Sequence, residues 1–216
     1  MATDYFAHHK KNYSDNQRLD EKKISKNPFE QFVKKLNEAL KETSGEPNRM
    51  VLTTCNNQGQ SSARIVLLKK HDQETFTFFT NYESRKSQDI KANPKVSCLF
   101  HWHELGLQIL IEGLAKKSSS HLSQKYFATR PRQSQIAAWC SKQSHIIQSR
   151  ETLLKDFQAY EEKFARKEIP CPSFWGGYDI YPSRFEFWQG RTNRLHDRII
   201  YTKKEATTWE ITRLAP

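Results

Sequence analysis

Between Met50 and Gly113 the chain alternates short apolar runs with tight polar turns and leaves little room for helix. Met50-Val-Leu-Thr-Thr-Cys55, Ala63 to Lys69, Thr75-Phe-Thr-Phe-Phe-Thr80, Val96 to Trp102 and Leu107 to Gly113 all have strand length and are rich in β-branched or aromatic residues. Asn56-Asn-Gln-Gly-Gln60 is a turn between the first two. Short strands joined this tightly pair with their neighbours as an antiparallel sheet or barrel. The one clear interruption, Ser84 to Ala92, reads as a short helix before Asn93-Pro94. The fold class expected is mainly β with flanking helices.

The flanks are helical. Asn27-Pro28 opens a helix, with Asn as N-cap and Pro at the first helical position. Phe29, Phe32, Val33, Leu36 and Leu40 recur at helical spacing and mark its buried stripe. Residues 1–26 are polar, without sustained periodicity, and read as a mobile arm; residues 27–216 read as one domain with a helical insert at about 118–168. The insert holds segments from Ser119 to Thr129, from Pro131 onward, and from Ser144 to Phe164, the last with Ile147, Leu153, Leu154, Phe157, Tyr160 and Phe164 on its apolar side. Strands return at Gly177 to Tyr181, Arg184 to Trp188, Arg198 to Tyr201 and Trp209 to Arg213.

With 216 residues, of which 12% are aromatic, the chain can bury a sizeable core. Its net charge of +11 favours anionic partners, whether nucleic acid, phosphorylated metabolites or acidic membranes. The lysines cluster in pairs and never as a long polybasic run, so a simply solvated basic surface fits equally well. Cys55, Cys98, Cys140 and Cys171 form no C-x-x-C pair and no disulfide framework, so they read as reduced thiols. No apolar run spans a bilayer, and the N-terminus lacks the apolar core of a signal peptide, so no membrane role and a cytoplasmic location are expected.

Several groups of residues carry chemistry. Near the C-terminus Arg194, His196 and Arg198 alternate with Leu195 and Asp197, so an extended strand would put all three cationic groups on one face. Such a row repels itself unless an anionic, planar partner covers it. Arg64 and Lys69 flank an apolar strand; they suit either a solvated strand end or two edges of a ligand. Ser84, Arg85 and Lys86 stand where a strand gives way to a helix, and cations at a helix N-terminus oppose its dipole unless a phosphate is bound there. Tyr126 and Arg130 share a helix face, with Ser134 in the first turn of the next helix, an arrangement suited to a second phosphate or to an exposed helix junction. Gln108 lies in an apolar strand and Gln143-Ser144 opens the long helix; buried amides need partners, which a heteroaromatic ring or a neighbouring backbone supplies. His101-Trp-His103 lacks a third ligand at metal spacing, so no metal site is expected.

Together these pieces resemble the pyridoxamine 5′-phosphate oxidase family, flavin enzymes of vitamin B6 synthesis and salvage. The resemblance rests on Arg64-Ile-Val-Leu-Leu-Lys69, Ser84-Arg-Lys86, Tyr126-Phe-Ala-Thr-Arg-Pro-Arg-Gln-Ser134, Trp139-Cys-Ser-Lys-Gln-Ser144, Pro172-Ser-Phe-Trp-Gly-Gly177, Phe185-Glu-Phe-Trp-Gln-Gly190, Arg194-Leu-His-Asp-Arg198 and Arg213-Leu-Ala-Pro216. It implies a homodimer of FMN-binding split β-barrels with FMN at the subunit interface. It implies FMN contacts from Arg64, Ile65, Val66, Leu67, Leu68, Lys69, Phe79, Thr80, Arg85, Lys86, Gln108, Gln143, Ser144, Trp188 and Arg198, with Arg85 and Lys86 on the phosphate. It gives Lys69, Tyr126, Arg130 and Ser134 to the substrate phosphate or its surroundings, and Arg194 and His196 to the substrate ring as the catalytic pair. The implied reaction oxidises pyridoxamine or pyridoxine 5′-phosphate to pyridoxal 5′-phosphate and reduces O2 to hydrogen peroxide. Arg194 would position the substrate, while His196 is the better proton handler by its ordinary pKa.

The family often carries Arg-x-x-Tyr in an arm that closes over substrate. Here the stretch is Lys10-Lys-Asn-Tyr13, and Lys supplies charge without a bidentate fork. Phe79 stands where Tyr is common and leaves only a backbone contact. Another split-barrel flavoprotein, such as a flavin reductase-like protein, would share the FMN residues but lack the Tyr126/Arg130/Ser134 and Arg194/His196 sets. A nucleic-acid-binding module would interleave aromatics with cations on one exposed surface, whereas these cations fall in discrete groups.

Overall fold

A computed structural model gives the structure of Tyr13 and of residues 18–216. The elements run α1 (Pro28–Glu42), β1 (Arg49–Cys55), β2 (Ser61–Leu67), β3 (Lys70–His71), β4 (Phe76–Asn81), α2 (Arg85–Ala92), β5 (Lys95–Trp102), β6 (Leu107–Lys117), α3 (Ser120–Ala128), α4 (Arg132–Cys140), α5 (Arg150–Lys163), β7 (Trp175–Gln189), β8 (Asp197–Lys203) and β9 (Trp209–Leu214). The strands hydrogen-bond in the order β2-β1-β5-β6-β7-β4-β3, with β8 on β7 and β9 on β8. Two compact units are built from this chain: one from the segment up to Pro47, Leu99–Ile111 and Ser183–Pro216, the other from Asn48–Cys98 and Glu112–Pro182.

In the first unit α1 starts as expected. The Asn27 side chain accepts the Phe29 N–H at 2.9 Å, and Pro28 needs no partner at the first position. Its buried face is Phe29, Phe32, Leu36 and Ala39; Phe29 meets Phe185 edge-on at 5.2 Å and Phe32 meets Phe100 at 5.0 Å. Leu40, expected in the stripe, is 60% exposed, because the stripe is centred nearer Phe32 and Leu36 and Leu40 lies at its edge in the last turn. Residues 18–26, expected in a mobile arm, are tied down. Leu19 is buried and donates its N–H to Asp197 at 3.1 Å, Arg213 pairs with Glu21 and donates to the Leu19 carbonyl, and the Tyr201 hydroxyl donates to Ser25 O at 2.7 Å. Lys10 lies outside the described residues.

In the second unit β1 and β2 form a hairpin from Arg49↔Leu67 to Cys55↔Ser61. Its turn is built by the Asn56 carboxamide, which accepts the Gln58 and Gln60 N–H groups, and by Gly59 at φ +82°, a conformation that favours glycine. β4 pairs with β7 from Phe76↔Ile180 to Asn81↔Trp175. Gly176 is required by close approach, since a Cβ there would lie 2.2 Å from the Tyr82 hydroxyl oxygen. The helices pack through Phe127, Ile136, Phe164, Ile169 and Trp175.

Three expectations are corrected. The helix expected from Ser144 begins at Arg150, where Ser149 accepts the Thr152 N–H at 3.2 Å. Ser144 itself has φ +71°, which no helix accommodates, and Ile146 and Ile147 are exposed. The strands expected at 177–181 and 184–188 are one strand, β7, running through Pro182. Arg194 is not on a strand: Thr192–Arg194 form a 3-10 turn, with Asn193 at φ 53° and Arg194 at φ 62°, and β8 starts only at Asp197. The alternation that would align Arg194, His196 and Arg198 therefore does not apply.

Candidate functional site

A cleft of about 700 Å³ opens in the second unit, a size suited to a cofactor-sized ligand. Of the residues singled out from sequence, Ile65, Val66, Leu67, Lys69, Phe79, Thr80, Lys86, Tyr126, Arg130, Ser134 and Gln143 line it. Arg64, Leu68, Arg85 and Ser144 belong to the same unit but not to this lining. Gln108, Trp188, Arg194, His196 and Arg198 belong to the first unit.

Lys86 occupies the first turn of α2 and is only 8% exposed. Its ammonium donates to Thr80 Oγ1 at 3.1 Å, Ser84 Oγ at 3.1 Å and Gln143 Oε1 at 3.0 Å, all neutral oxygens. Burial, helped by the Arg64 charge, pushes it down to about 8. Ser84 is the N-cap, but its hydroxyl donates to Asn81 O at 2.7 Å and makes no cap bond to the helix. The Ser87 N–H donates to the Ser84 carbonyl at 2.9 Å, which leaves the Arg85 and Lys86 N–H groups as the anion-binding donors of the first turn. Arg64 projects from β2 and hydrogen-bonds Leu52 O, Thr54 and Ser62. Asp89 of α2, which accepts from Thr54 at 2.7 Å, lies 4.0 Å from its guanidinium. Burial lowers the Arg64 pKa, and Asp89 partly offsets this.

Elsewhere in the lining the helical insert contributes a second cation. Arg130 follows α3; its guanidinium lies 4.6 Å over the Trp175 ring and 5.5 Å from that of Phe127. Its Nη1 is buried with no hydrogen-bond partner among the described residues, and burial lowers its pKa. A buried N–H without an acceptor is costly, and an anionic oxygen in the cleft satisfies it. Phe79 stacks on Tyr126 at 4.0 Å and 20°, and both rings run within 10° of parallel to Trp175. The sequence did not single out Trp175, Asn81, Thr129, Ala137, Ala138 or Ser141 as site residues, although all line the cleft. For Trp175 a signal existed: a large aromatic immediately before the Gly176-Gly177 pair.

A separate cluster lies in the first unit. Trp188 on β7 packs against His196 at 4.5 Å, and Tyr13 meets both edge-on at 5.7 and 5.8 Å. The Arg191 N–H donates to His196 Nδ1 at 3.0 Å, so the neutral ring carries its proton on Nε2. Burial and the Arg194 charge lower the His196 pKa. Arg194 is exposed. Arg198 is fully engaged: its Nε donates to Glu186 at 2.7 Å and its Nη1 to Ala215 O at 3.2 Å. Gln108 is half-buried on β6. Among the described residues no group of His, Cys, Asp and Glu is arranged to hold a metal, and no helix is long and apolar enough to cross a membrane.

Residues 36–164 match the family model described as pyridoxamine 5′-phosphate oxidase, and residues 175–216 match the pyridoxine 5′-phosphate oxidase C-terminal dimerisation region. The pyridoxine/pyridoxamine 5′-phosphate oxidase of Crocosphaera subtropica is 53% identical over 195 residues, covering 89% of this chain and 91% of its own. Pyridoxine/pyridoxamine 5′-phosphate oxidase 2 of Hydrogenovibrio crunogenus is 52% identical over 198 residues, 92% of each chain. Among solved structures, PhzG of Burkholderia lata, in complex with tetrahydrophenazine-1-carboxylic acid, superposes with a TM-score of 0.87 at 26% identity, over 94% of this chain and 99% of that one. A pyridoxamine 5′-phosphate oxidase-related, FMN-binding protein of Nostoc punctiforme shares the fold, with a TM-score of 0.70 at 13% identity over 89% of this chain and all of its own. The mainly β, helix-flanked split-barrel fold expected from the resemblance is the one these proteins share. Matched along this length and at this identity, the chain belongs to the pyridoxamine 5′-phosphate oxidase family, oxidases of vitamin B6 metabolism with a C-terminal dimerisation region.

Proposed function

We propose that this chain is an FMN-dependent oxidase that converts pyridoxamine 5′-phosphate and pyridoxine 5′-phosphate to pyridoxal 5′-phosphate as a homodimer. The observation that carries the reading is one cleft lined by two cations on neutral partners, the buried Lys86 on hydroxyl and amide oxygens and the half-buried Arg130 on aromatic rings. Each has charge to offer a phosphate, and both proposed ligands carry one.

When bound, FMN supplies the electron acceptor for oxidation at the substrate's C4′ carbon and returns the electrons to O2 as hydrogen peroxide. The chain's own share is binding and orientation. Lys86, with Arg85 and the first turn of α2, holds the FMN phosphate, and Arg64 adds charge beside it. Ile65, Val66, Leu67 and Leu68 offer an apolar strand to the flavin; Lys69, Thr80, Gln143 and Ser144 complete its contacts in this unit, with Phe79 limited to its backbone and ring face, and the proposed homodimer would bring Gln108 and Trp188 to it, while Arg198 stays with Glu186. Arg130, Tyr126, Ser134 and Lys69 take the substrate phosphate, with the orphaned Nη1 of Arg130 as its donor. Arg194 orients the substrate ring. His196, whose Nδ1 is occupied and whose pKa is depressed, works as a neutral Nε2–H donor at neutral pH. Tyr13, edge-on to Trp188 and His196, joins this substrate-facing group.

Purified protein is expected to show flavin absorbance and to consume O2 with pyridoxamine 5′-phosphate. A colourless protein that FMN cannot reconstitute defeats this reading.

A further inference from the structure

Trp175 lines the cleft, yet the proposed binding sets give it no role. It is 8% exposed, lines the cleft, and opens β7 opposite Asn81. Its ring is fixed from several sides: Phe79 lies parallel at 5.5 Å and 10°, Tyr126 at 6.2 Å and 10°, and Phe127 meets it edge-on at 5.1 Å. The following Gly176 leaves no room for a side chain. The Arg130 guanidinium sits 4.6 Å above this ring. A guanidinium over an aromatic face is held by the ring's negative quadrupole and keeps its edge N–H groups free for planar recognition. Here that edge includes Nη1, buried and without an acceptor.

We propose that Trp175 is a positioning residue that holds Arg130 for the phosphate monoester of the substrate and thereby sets the preference for phosphorylated over unphosphorylated ring compounds. The proposal rests on the substrate-phosphate reading of Arg130 given above. Without the ring, Arg130 keeps its charge but loses the surface that orients it. Affinity for the phosphate falls, while affinity for the rest of the ligand stays.

The test is calorimetric titration of the FMN-loaded protein with pyridoxal 5′-phosphate and with unphosphorylated pyridoxal, for the unaltered chain and for Trp175→Leu, Trp175→Phe and Arg130→Met. Trp175→Leu is expected to weaken pyridoxal 5′-phosphate binding about tenfold and pyridoxal binding less than twofold. Trp175→Phe, which keeps an aromatic face, is expected to restore most of the discrimination, and it serves as the test if the leucine variant does not fold. Equal weakening of both ligands in either variant assigns Trp175 a structural role and overturns the proposal, as does full discrimination in Trp175→Leu. If Arg130→Met keeps the discrimination of the unaltered chain, the substrate-phosphate reading of Arg130 fails, and this proposal with it. If Arg130→Met loses it and Trp175→Leu does not, only the role of Trp175 falls.

Discussion

Arginines of the first unit and the cleft cations of the second rest on different kinds of partner. In the first unit Arg184 and Arg198 converge on Glu186 at 3.0 and 2.7 Å, while Arg213 bonds Asp197 at 2.6 Å and pairs with Glu21. These charges are spent within the fold. The Glu21 carboxyl, held by Arg213, sits at about 2, well below its ordinary value. In the second unit Lys86 rests on two hydroxyls and an amide, and Arg130 on two rings. Arg64 stands between the two cases, bonded to neutral oxygens with Asp89 at 4.0 Å. A carboxylate neutralises a cation, whereas a hydroxyl or a ring orients it and leaves its charge available. On the proposed reading, the comparison separates cations that hold the fold from cations kept for an anionic ligand.

The sharpest way to break it is Lys86→Met. Loss of a buried charge-assisted contact costs about 1.5–3 kcal/mol, so FMN affinity measured by flavin fluorescence should fall by one to two orders of magnitude. Unchanged affinity would move the phosphate elsewhere. Next is Arg130→Met, which should raise KM for pyridoxamine 5′-phosphate by at least tenfold with a smaller change in kcat. A fall in kcat alone would mean that Arg130 acts on the chemistry and not on binding.

A third prediction concerns pH. The Lys86 pKa is depressed to about 8, below that of an unfolded lysine. The unfolded chain therefore binds more protons between pH 8 and the ordinary lysine range, and apo stability should rise with pH there. FMN affinity should fall across the same window as the ammonium is lost. Both trends should vanish in Lys86→Met, and their persistence would assign them to other groups. The smallest effect is expected for Arg213→Ala. Amide exchange of residues 18–26 should speed up, because Arg213 holds Glu21 and the Leu19 carbonyl, while FMN affinity stays within about twofold. A large loss of flavin would erase the distinction between the two kinds of cation.

The strands were legible because period-2 alternation and β-branched residues mark them directly; β1, β4, β5 and β9 start and stop within a residue of expectation. The start of α1 was legible from its cap. Local backbone reversals were not. The left-handed residues Ser144, Asn193 and Arg194 carry no glycine to announce them, so sequence alone opens a helix at Ser144 and puts Arg194 in an extended run. Arg85, Lys86, Tyr126 and Arg130 could be grouped from spacing as candidate phosphate ligands. That Arg198 is occupied by Glu186 could not, because the pairing depends on the register of β7 with β8, Trp188↔Arg198. Trp175 stands in the Pro172–Gly177 motif without an assigned role, and only the packing of Arg130 over it suggests one.

The central claim is that the cleft cations of the second unit exist to bind phosphate. Calorimetric titration of the apo protein with FMN and with riboflavin, which differ only in that group, tests it most directly. FMN should bind at least about 100-fold more tightly, the scale of one or two charge-assisted contacts. Equal affinity for the two flavins would contradict the account.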